Sequence, residues 1–455
     1  MVDDEPVPGE PGPADDDGIL PWGTEGLGWP DDPYRAYRLA RGGGPVRRGR
    51  LRNGRPVWLV LGYAEARAAL ADPRLSTDGR RFLRRYWSQA AGPEDQGLDE
   101  MSLAEHMLST DPPDHTRLRR LVSQAFTLRQ VEAMRPRVAA IAADLAGAMA
   151  EARSGSPGRS VPGAGEVDLI EAFAFPLPIR VISELLGVPA SDEARFRRWF
   201  RAMVTVGPGD EARRASQAAA FEVAGYLAEL LAAKRAAPAD DVVSGLVAAR
   251  DDGQALTEPE LMSTVFLLLL AGHETTVNLI GNGMAALLGD PGQLARVRAD
   301  PSLVEPAVEE LLRFDGPVHH PTLRFAMEPV RLGDVTVPAG DVVLVSLAAA
   351  NRDPARFAAP DRVDVGRRDA HLGFGHGPHF CLGAPLARME GRIAFSVLLE
   401  RFPSLSLAVA PEALRWREGL FLRGLEALPV RLGPEAPAGA SRRPLAPAPG
   451  REAWQ

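Results

Sequence analysis

Cysteine and lysine are nearly absent from the 455 residues, which hold one of each, Cys381 and Lys234. A lone cysteine excludes any disulfide within the chain and leaves one thiol to bind a metal, attack a substrate or sit inert. Basic excess is missing too: the net charge of -8 argues against a dedicated nucleic-acid binder. The most continuous apolar run, Val265 to Gly272, falls far short of the roughly 20 residues that span a bilayer, so no membrane association is expected. The opening MVDDEPVPGE is acidic where an export signal is basic and then apolar, and the cytoplasm is the expected location. Internal repeats at solenoid periods are also lacking.

What is present is an ordinary globular composition, 45% hydrophobic and 25% charged. One catalytic body is expected over residues 25–432. The flanks 1–24 and 433–455, rich in Pro, Asp, Glu and Gly, cannot bury enough apolar surface to order and are expected to be disordered. Asn53-Gly54 predicts a hairpin turn, followed by alternating Val57, Leu59 and Leu61. From 116 to 270 the spacing turns helical: Leu118, Leu121, Val122 and Ala125 share a face, as do Ile141, Leu145 and Met149. Val335 and Val337 precede a Pro-Ala-Gly turn, and Leu405, Leu407 and Val409 alternate. The fold class is mainly α with small β-sheets.

The stretch Phe374-Gly375-His376-Gly377-Pro378-His379-Phe380-Cys381-Leu382-Gly383 places glycines around the cysteine, just before a helical pattern that starts at Ala384. A helix N-terminus favours thiolate over thiol, and glycines permit close approach to a planar macrocycle. Taken alone, the cysteine is also compatible with an inert buried thiol or a Cys-His nucleophile using His379 or His376. A second stretch, Leu267-Leu-Leu-Leu-Ala271-Gly272-His273-Glu274-Thr275-Thr276, turns from apolar to polar at a glycine. There Thr275 can bond a preceding carbonyl, and Gly272 leaves room for a ligand. A solvated Glu and a helix-bending Thr would produce the same pattern. His273 is turned about 100° from its neighbour on the helix, which favours a polar or packing role.

Residues Phe374 to Arg388 resemble the haem-binding signature of the cytochrome P450 family, Phe-x-x-Gly-x-x-x-Cys-x-Gly followed by Leu-Ala-Arg. Ala271 to Thr275 resembles the same family's (Ala/Gly)-Gly-x-(Asp/Glu)-Thr motif. The resemblance implies the P450 fold, with haem b between a long central helix and the cysteine loop. It makes Cys381 the iron ligand, with Glu274 and Thr275 catalytic, delivering protons to bound dioxygen. Cofactor contacts implied are His115, Arg119, Ala271, Gly272, Arg324, Phe374, Gly375, His379 and Gly383. Glu310 and Arg313, three apart in Glu-x-x-Arg, would join Arg367 in a structural network.

The implied substrate pocket includes Leu267, Leu270, His319, His320, Leu420 and Phe421, with the loop from Phe82 to Leu98 and residues Met203 to Val206 nearby. The expected activity is a haem-thiolate monooxygenase that hydroxylates or epoxidises an apolar small molecule, such as a polyketide or macrolide. A haem-based ligand sensor, or an oxidase that couples rings or desaturates, stays open. No flavin-binding segment accompanies the motifs, so electrons from NAD(P)H are expected to arrive through a separate ferredoxin reductase and ferredoxin. Arg117, Arg120, Arg388 and Arg392 are candidates to dock such an acidic partner. A monomer is expected.

Overall fold

The longest element begins at Thr257-Glu258-Pro259-Glu260, where Thr257 accepts from the Glu260 N–H and Glu260 accepts from the Thr257 N–H. This reciprocal cap satisfies two donors that a helix start leaves open, and proline there sacrifices no bond. The central helix then runs Glu258–Leu288. Leu261, Val265, Leu269, Val277 and Ile280 are all buried, as expected of a helix inside a core rather than on its surface. By length and composition it could cross a membrane, but 72% of its 18-residue apolar window is buried inside the protein.

The structure, a computed structural model, describes residues 20–21, 32–51, 55–86, 106–153, 166–204 and 210–435. Helices Pro176–Leu186, Val304–Asp315 and Ala384–Arg401 pack on the central helix, and Arg135–Arg153 packs on the last of these. Close packing depends on Gly283, where a Cβ would lie 2.7 Å from the Phe395 ring. One continuous apolar cluster joins these helices.

A six-stranded sheet flanks the helical mass, in the order Leu20–Pro21, Val46–Arg50, Pro56–Val60, Val342–Val345, Arg324–Ala326, Leu75–Ser76. Val46–Arg50 and Pro56–Val60 pair antiparallel, as the hairpin expectation requires, while the Asn53-Gly54 turn itself lies outside the described residues. Smaller sheets join Ser406–Leu407, Pro429–Arg431 and Glu166–Asp168, and Val330–Leu332 with Val335–Val337. Mainly α with small sheets is thus the observed class.

The flanks expected to be disordered fall mostly outside the described residues. Two parts do not: Leu20–Pro21 pairs in parallel with residues 49–50, and Glu435 forms an ion pair with Arg401 at 3.2 Å.

Candidate active site

Gly375 and Gly377 hold φ values of +76° and +74°, a region that side-chain-bearing residues rarely enter. These angles fold Phe374 to Cys381 back on itself, so that the Cys381 N–H donates to the Phe374 carbonyl at 3.0 Å. Gly377 also presses on another helix, since a Cβ there would lie 2.9 Å from the Leu70 carbonyl. Gly377 therefore serves both the turn and this packing. Gly383 is the last residue before helix Ala384–Arg401, 3.9 Å from Cys381 Sγ by its would-be Cβ.

Cys381 is open to solvent on one side although the loop beneath it is packed. Burial by that packing pushes its thiol up from 9.0, against the lowering effects of the Gly383 N–H, Arg119, Arg388 and the Ala384 N–H. The N–H groups at the helix start thus lower it as expected but are outweighed by burial. Among the described residues no three His, Cys, Asp or Glu side chains group to hold a metal. A cation at Cys381 would thus have a single ligand from these side chains, which fits an iron whose other ligands come from a macrocycle.

In the central helix, Ala271 is exposed and Leu270, Gly272 and Thr275 are partly so, whereas His273, Glu274 and Thr276 are buried. Thr275 Oγ1 donates to the Ala271 carbonyl at 2.6 Å, and Thr276 Oγ1 to the Gly272 carbonyl at 3.3 Å. Gly272 faces a neighbouring helix: a Cβ would sit 3.0 Å from Ile182 Cδ1. The missing side chain thus serves the packing of these two helices. His273 turns the other way, fully buried with its ring 4.5 Å from that of Phe175, and burial lowers it to about 3. Glu274 is buried and paired with Arg417 Nη1 at 2.7 Å.

His115, Arg119, Arg324 and His379 converge although they come from three separate segments. The His115 and His379 rings lie 4.3 Å apart, and Arg119 donates to the Phe380 carbonyl at 2.6 Å. Burial, then the charge of Arg324, lowers His379 to about 3, and burial lowers Arg324 to about 10. His115 Nε2 and Arg324 Nε are buried without a hydrogen-bond partner among the described residues. Unpaired buried donors around a surplus of positive charge suit an anionic ligand. The two propionates of a haem fit that donor set, as Cys381 fits its iron.

Arg313 grips Glu310 at 2.7 and 2.8 Å, and Arg367 Nε lies 3.1 Å from the same carboxylate. Arg313 also donates to the carbonyls of Asn351 and Pro360. The three residues thus meet, joining helix Val304–Asp315 to the segment that leads into the cysteine loop.

The six residues expected in a pocket divide. Phe421 is exposed, and Leu420 and Leu270 are partly so. Leu267 is buried. His319 and His320 are closed off from solvent. Tyr37 Oη bonds His319 Nδ1 at 3.0 Å, Tyr34 Oη lies 3.3 Å from Nε2, and His320 Nδ1 bonds the Leu420 carbonyl at 2.6 Å. Their backbone N–H groups instead hold the Phe421 carbonyl, at 2.9 and 3.3 Å, so they shape the wall without lining it. Residues 87–98 and 205–206 lie outside the described residues.

The sequence is 49% identical over 415 residues to the cytochrome P450 monooxygenase PikC of Streptomyces venezuelae, covering 91% of this chain and 94% of that protein. The chain belongs to the cytochrome P450 family. The family model for cytochrome P450 matches residues 209–413. The 6-deoxyerythronolide B hydroxylase of Saccharopolyspora erythraea is 44% identical over 88% of this P450 and 96% of its own length. The solved structure of the P450 monooxygenase TamI with tirandamycin C bound superposes with a TM-score of 0.77 at 47% identity, covering 88% of this chain and 98% of that one. This P450 is accordingly a monooxygenase.

Sequence reasoning missed most of the ion pairs that fix this P450's site. The four arginines offered for partner docking are each engaged internally: Arg117 with Glu260, Arg120 with Asp251, Arg388 with Glu309 and Arg392 with Glu305. Only Arg120, its side chain 55% exposed, still presents its charge outward. Asn278, which donates to Glu274 at 3.4 Å, was detectable from its four-residue spacing; Arg417 carried no local signal.

Proposed function

We propose that this P450 inserts one oxygen atom of O₂ into an apolar secondary metabolite of polyketide or macrolide type, by hydroxylation or epoxidation. The relatives support this reading, since one is named as a hydroxylase of 6-deoxyerythronolide B and another is solved with tirandamycin C. The site supports it through the apolar, exposed Ala271 and Phe421, which suit a ligand held by burial with few orienting bonds. Residues 25–432 would act as one catalytic body.

Cys381 would hold the iron through its sulfur, and His115, Arg119, Arg324 and His379 would hold the propionates. Ala271, Gly272, Phe374, Gly375 and Gly383 would border the ring. When bound, haem supplies the oxygen-activating redox chemistry. This chain's own part is to position the substrate and to move protons. Thr275 Oγ1, anchored to the Ala271 carbonyl, keeps its oxygen lone pairs free to accept a proton donor's bond. Glu274, adjacent and buried, is the group that would carry protons toward it. Glu310, Arg313 and Arg367 would keep the entry to the cysteine loop fixed.

Electrons would come from NAD(P)H through ferredoxin reductase and ferredoxin, the latter meeting the exposed guanidinium of Arg120. The protein would work as a monomer in the cytoplasm. The observation that carries the proposal is the single thiol beside a cluster of unpaired buried donors. Its test is turnover with a surrogate ferredoxin pair after screening macrolides and polyketides for displacement of iron-bound water. Tight binding followed by an oxygenated product is expected; binding by none of these compounds, with turnover of an unrelated class, would overturn the substrate assignment.

A further inference from the structure

Glu274, Asn278 and Asn282 recur every four residues along one face of the central helix, and one loop answers all three. The segment 415–426 doubles back on itself, with the Arg417 N–H donating to the Gly424 carbonyl at 2.8 Å and the Glu426 N–H to the Arg415 carbonyl at 3.0 Å. From this loop Arg417 Nη1 meets Glu274 Oε1 at 2.7 Å and Nη2 donates to Asn278 Oδ1 at 2.6 Å. One turn further on, Asn282 Nδ2 donates to the Arg423 carbonyl at 3.0 Å. Gly424 makes the approach possible: a Cβ there would lie 2.1 Å from Asn278 Oδ1 and 2.5 Å from Arg417 Nη2.

The burial of the partners is unequal. The Glu274 side chain is 5% exposed and that of Arg417 is 32% exposed, so the guanidinium bridges an interior acid and the solvent. Arg417 Nε is buried and has no hydrogen-bond partner among the described residues, leaving one nitrogen beyond the two that grip the helix. A tie needed only for packing is already supplied by Asn282 and Arg423. An ion pair at this place, which loses hydration on one side only, gains little for stability over an apolar contact.

We propose that Arg417 is a positioning residue for proton delivery, resting on the reading of Glu274 as the proton carrier. A proton from solvent reaches Glu274 at the guanidinium edge and weakens the ion pair; the carboxylic acid swings toward Thr275 and gives the proton up. The carboxylate left behind returns to Arg417, which resets it for the next proton. Asn278 keeps the same oxygen on its path between the two positions.

The test uses the haem-loaded enzyme with a surrogate ferredoxin pair. Arg417→Ala is expected to lower kcat about tenfold, part of what one positioned proton donor contributes. KM should stay within about twofold, since the substrate is not touched. The solvent isotope effect on kcat should rise and more reducing equivalents should leak to peroxide, with Arg417→Lys recovering most of the loss. Independently of turnover, the infrared carboxylate band that vanishes in Glu274→Gln should shift in Arg417→Ala. An unshifted band, or unchanged kcat and isotope effect in Arg417→Ala, overturns the proposal even if the variant melts earlier. If Glu274→Gln itself turns over normally, the reading of Glu274 as proton carrier fails; if only Glu274→Gln is impaired, the role of Arg417 alone fails.

Discussion

Both ends of the Arg388 guanidinium close on Glu309, at 2.8 Å each, tying the helix that follows the cysteine to the helix that carries the Glu-x-x-Arg motif. The same guanidinium lies over the Phe374 ring, 4.4 Å from its centre, at the start of the cysteine loop. Burial alone would raise the Glu309 carboxyl, but bonds from His371 and Arg388 reverse that and hold it at about 2. Removing the arginine leaves a buried carboxylate with one histidine partner.

Arg388→Ala is therefore expected to cost about 3 kcal/mol, as for one partner withdrawn from a buried pair. Arg388→Lys restores less than half, because a point charge cannot bond both oxygens or stack on the ring. Urea unfolding of the haem-loaded variants measures this. A Lys variant as stable as the wild type would show that the bidentate geometry contributes nothing.

Thr275→Ala and Glu274→Gln should each lower product formation by on the order of 10²-fold, the low end for one positioned proton donor. Reducing equivalents should be consumed still, with peroxide replacing product. Thr275→Ser keeps the hydroxyl and should retain most coupling. Peroxide and product measured together decide the matter, for a loss of both without peroxide points to failed electron entry.

Arg324→Met should change sign with cofactor content. Without haem, it removes a buried guanidinium that has an unpaired Nε, and stability is expected to rise by about 1 kcal/mol. With haem the lost cation should speed release of the cofactor to an excess of a haem-free globin. Faster unfolding of the haem-free variant together with unchanged release would contradict the assignment.

Three buried histidines set the response to acid. Burial holds His273 and His320 at about 3 and His319 at about 4, all below the ordinary 6.5. Below pH 6.5 the unfolded chain thus binds protons that the folded chain refuses. Their contribution to stability is complete above pH 6.5 and is lost as pH falls from there toward 4 and 3. Glu309 adds a second loss beginning below its ordinary 4.5. Unfolding free energies at about pH 7.5 and about pH 5 should differ in that direction, and a His319→Phe variant should show a smaller difference. Equal stability at both values would contradict the burial of these rings.

Legibility in the sequence followed the range of each interaction. The capping box at Thr257, the turn at Gly375 and Gly377, and the Glu310–Arg313 pair are local, so spacing alone exposes them. Helical phase likewise separates His273 from Thr275, which the structure turns to opposite surroundings. Partners far along the chain leave no such trace. Arg417 stands 139 residues from Asn278, and Tyr37 stands 282 residues from the His319 that it encloses. His319 and His320 entered the expected pocket through the family resemblance alone, and no local pattern shows that Tyr34, Tyr37 and Asp315 enclose His319 while the Leu420 carbonyl bonds His320. A glycine marks close approach without saying what approaches, and at Gly272 the helix that bears Ile182 is one such neighbour.

The proposed chemistry depends on sulfur from Cys381 binding iron. The carbon monoxide difference spectrum of the reduced protein, compared between wild type and Cys381→His, reports this directly. A thiolate-type band in the wild type that becomes an imidazole-type band in the variant is the expected result. Identical bands in the two proteins, or a wild type that takes up no haem, would contradict it.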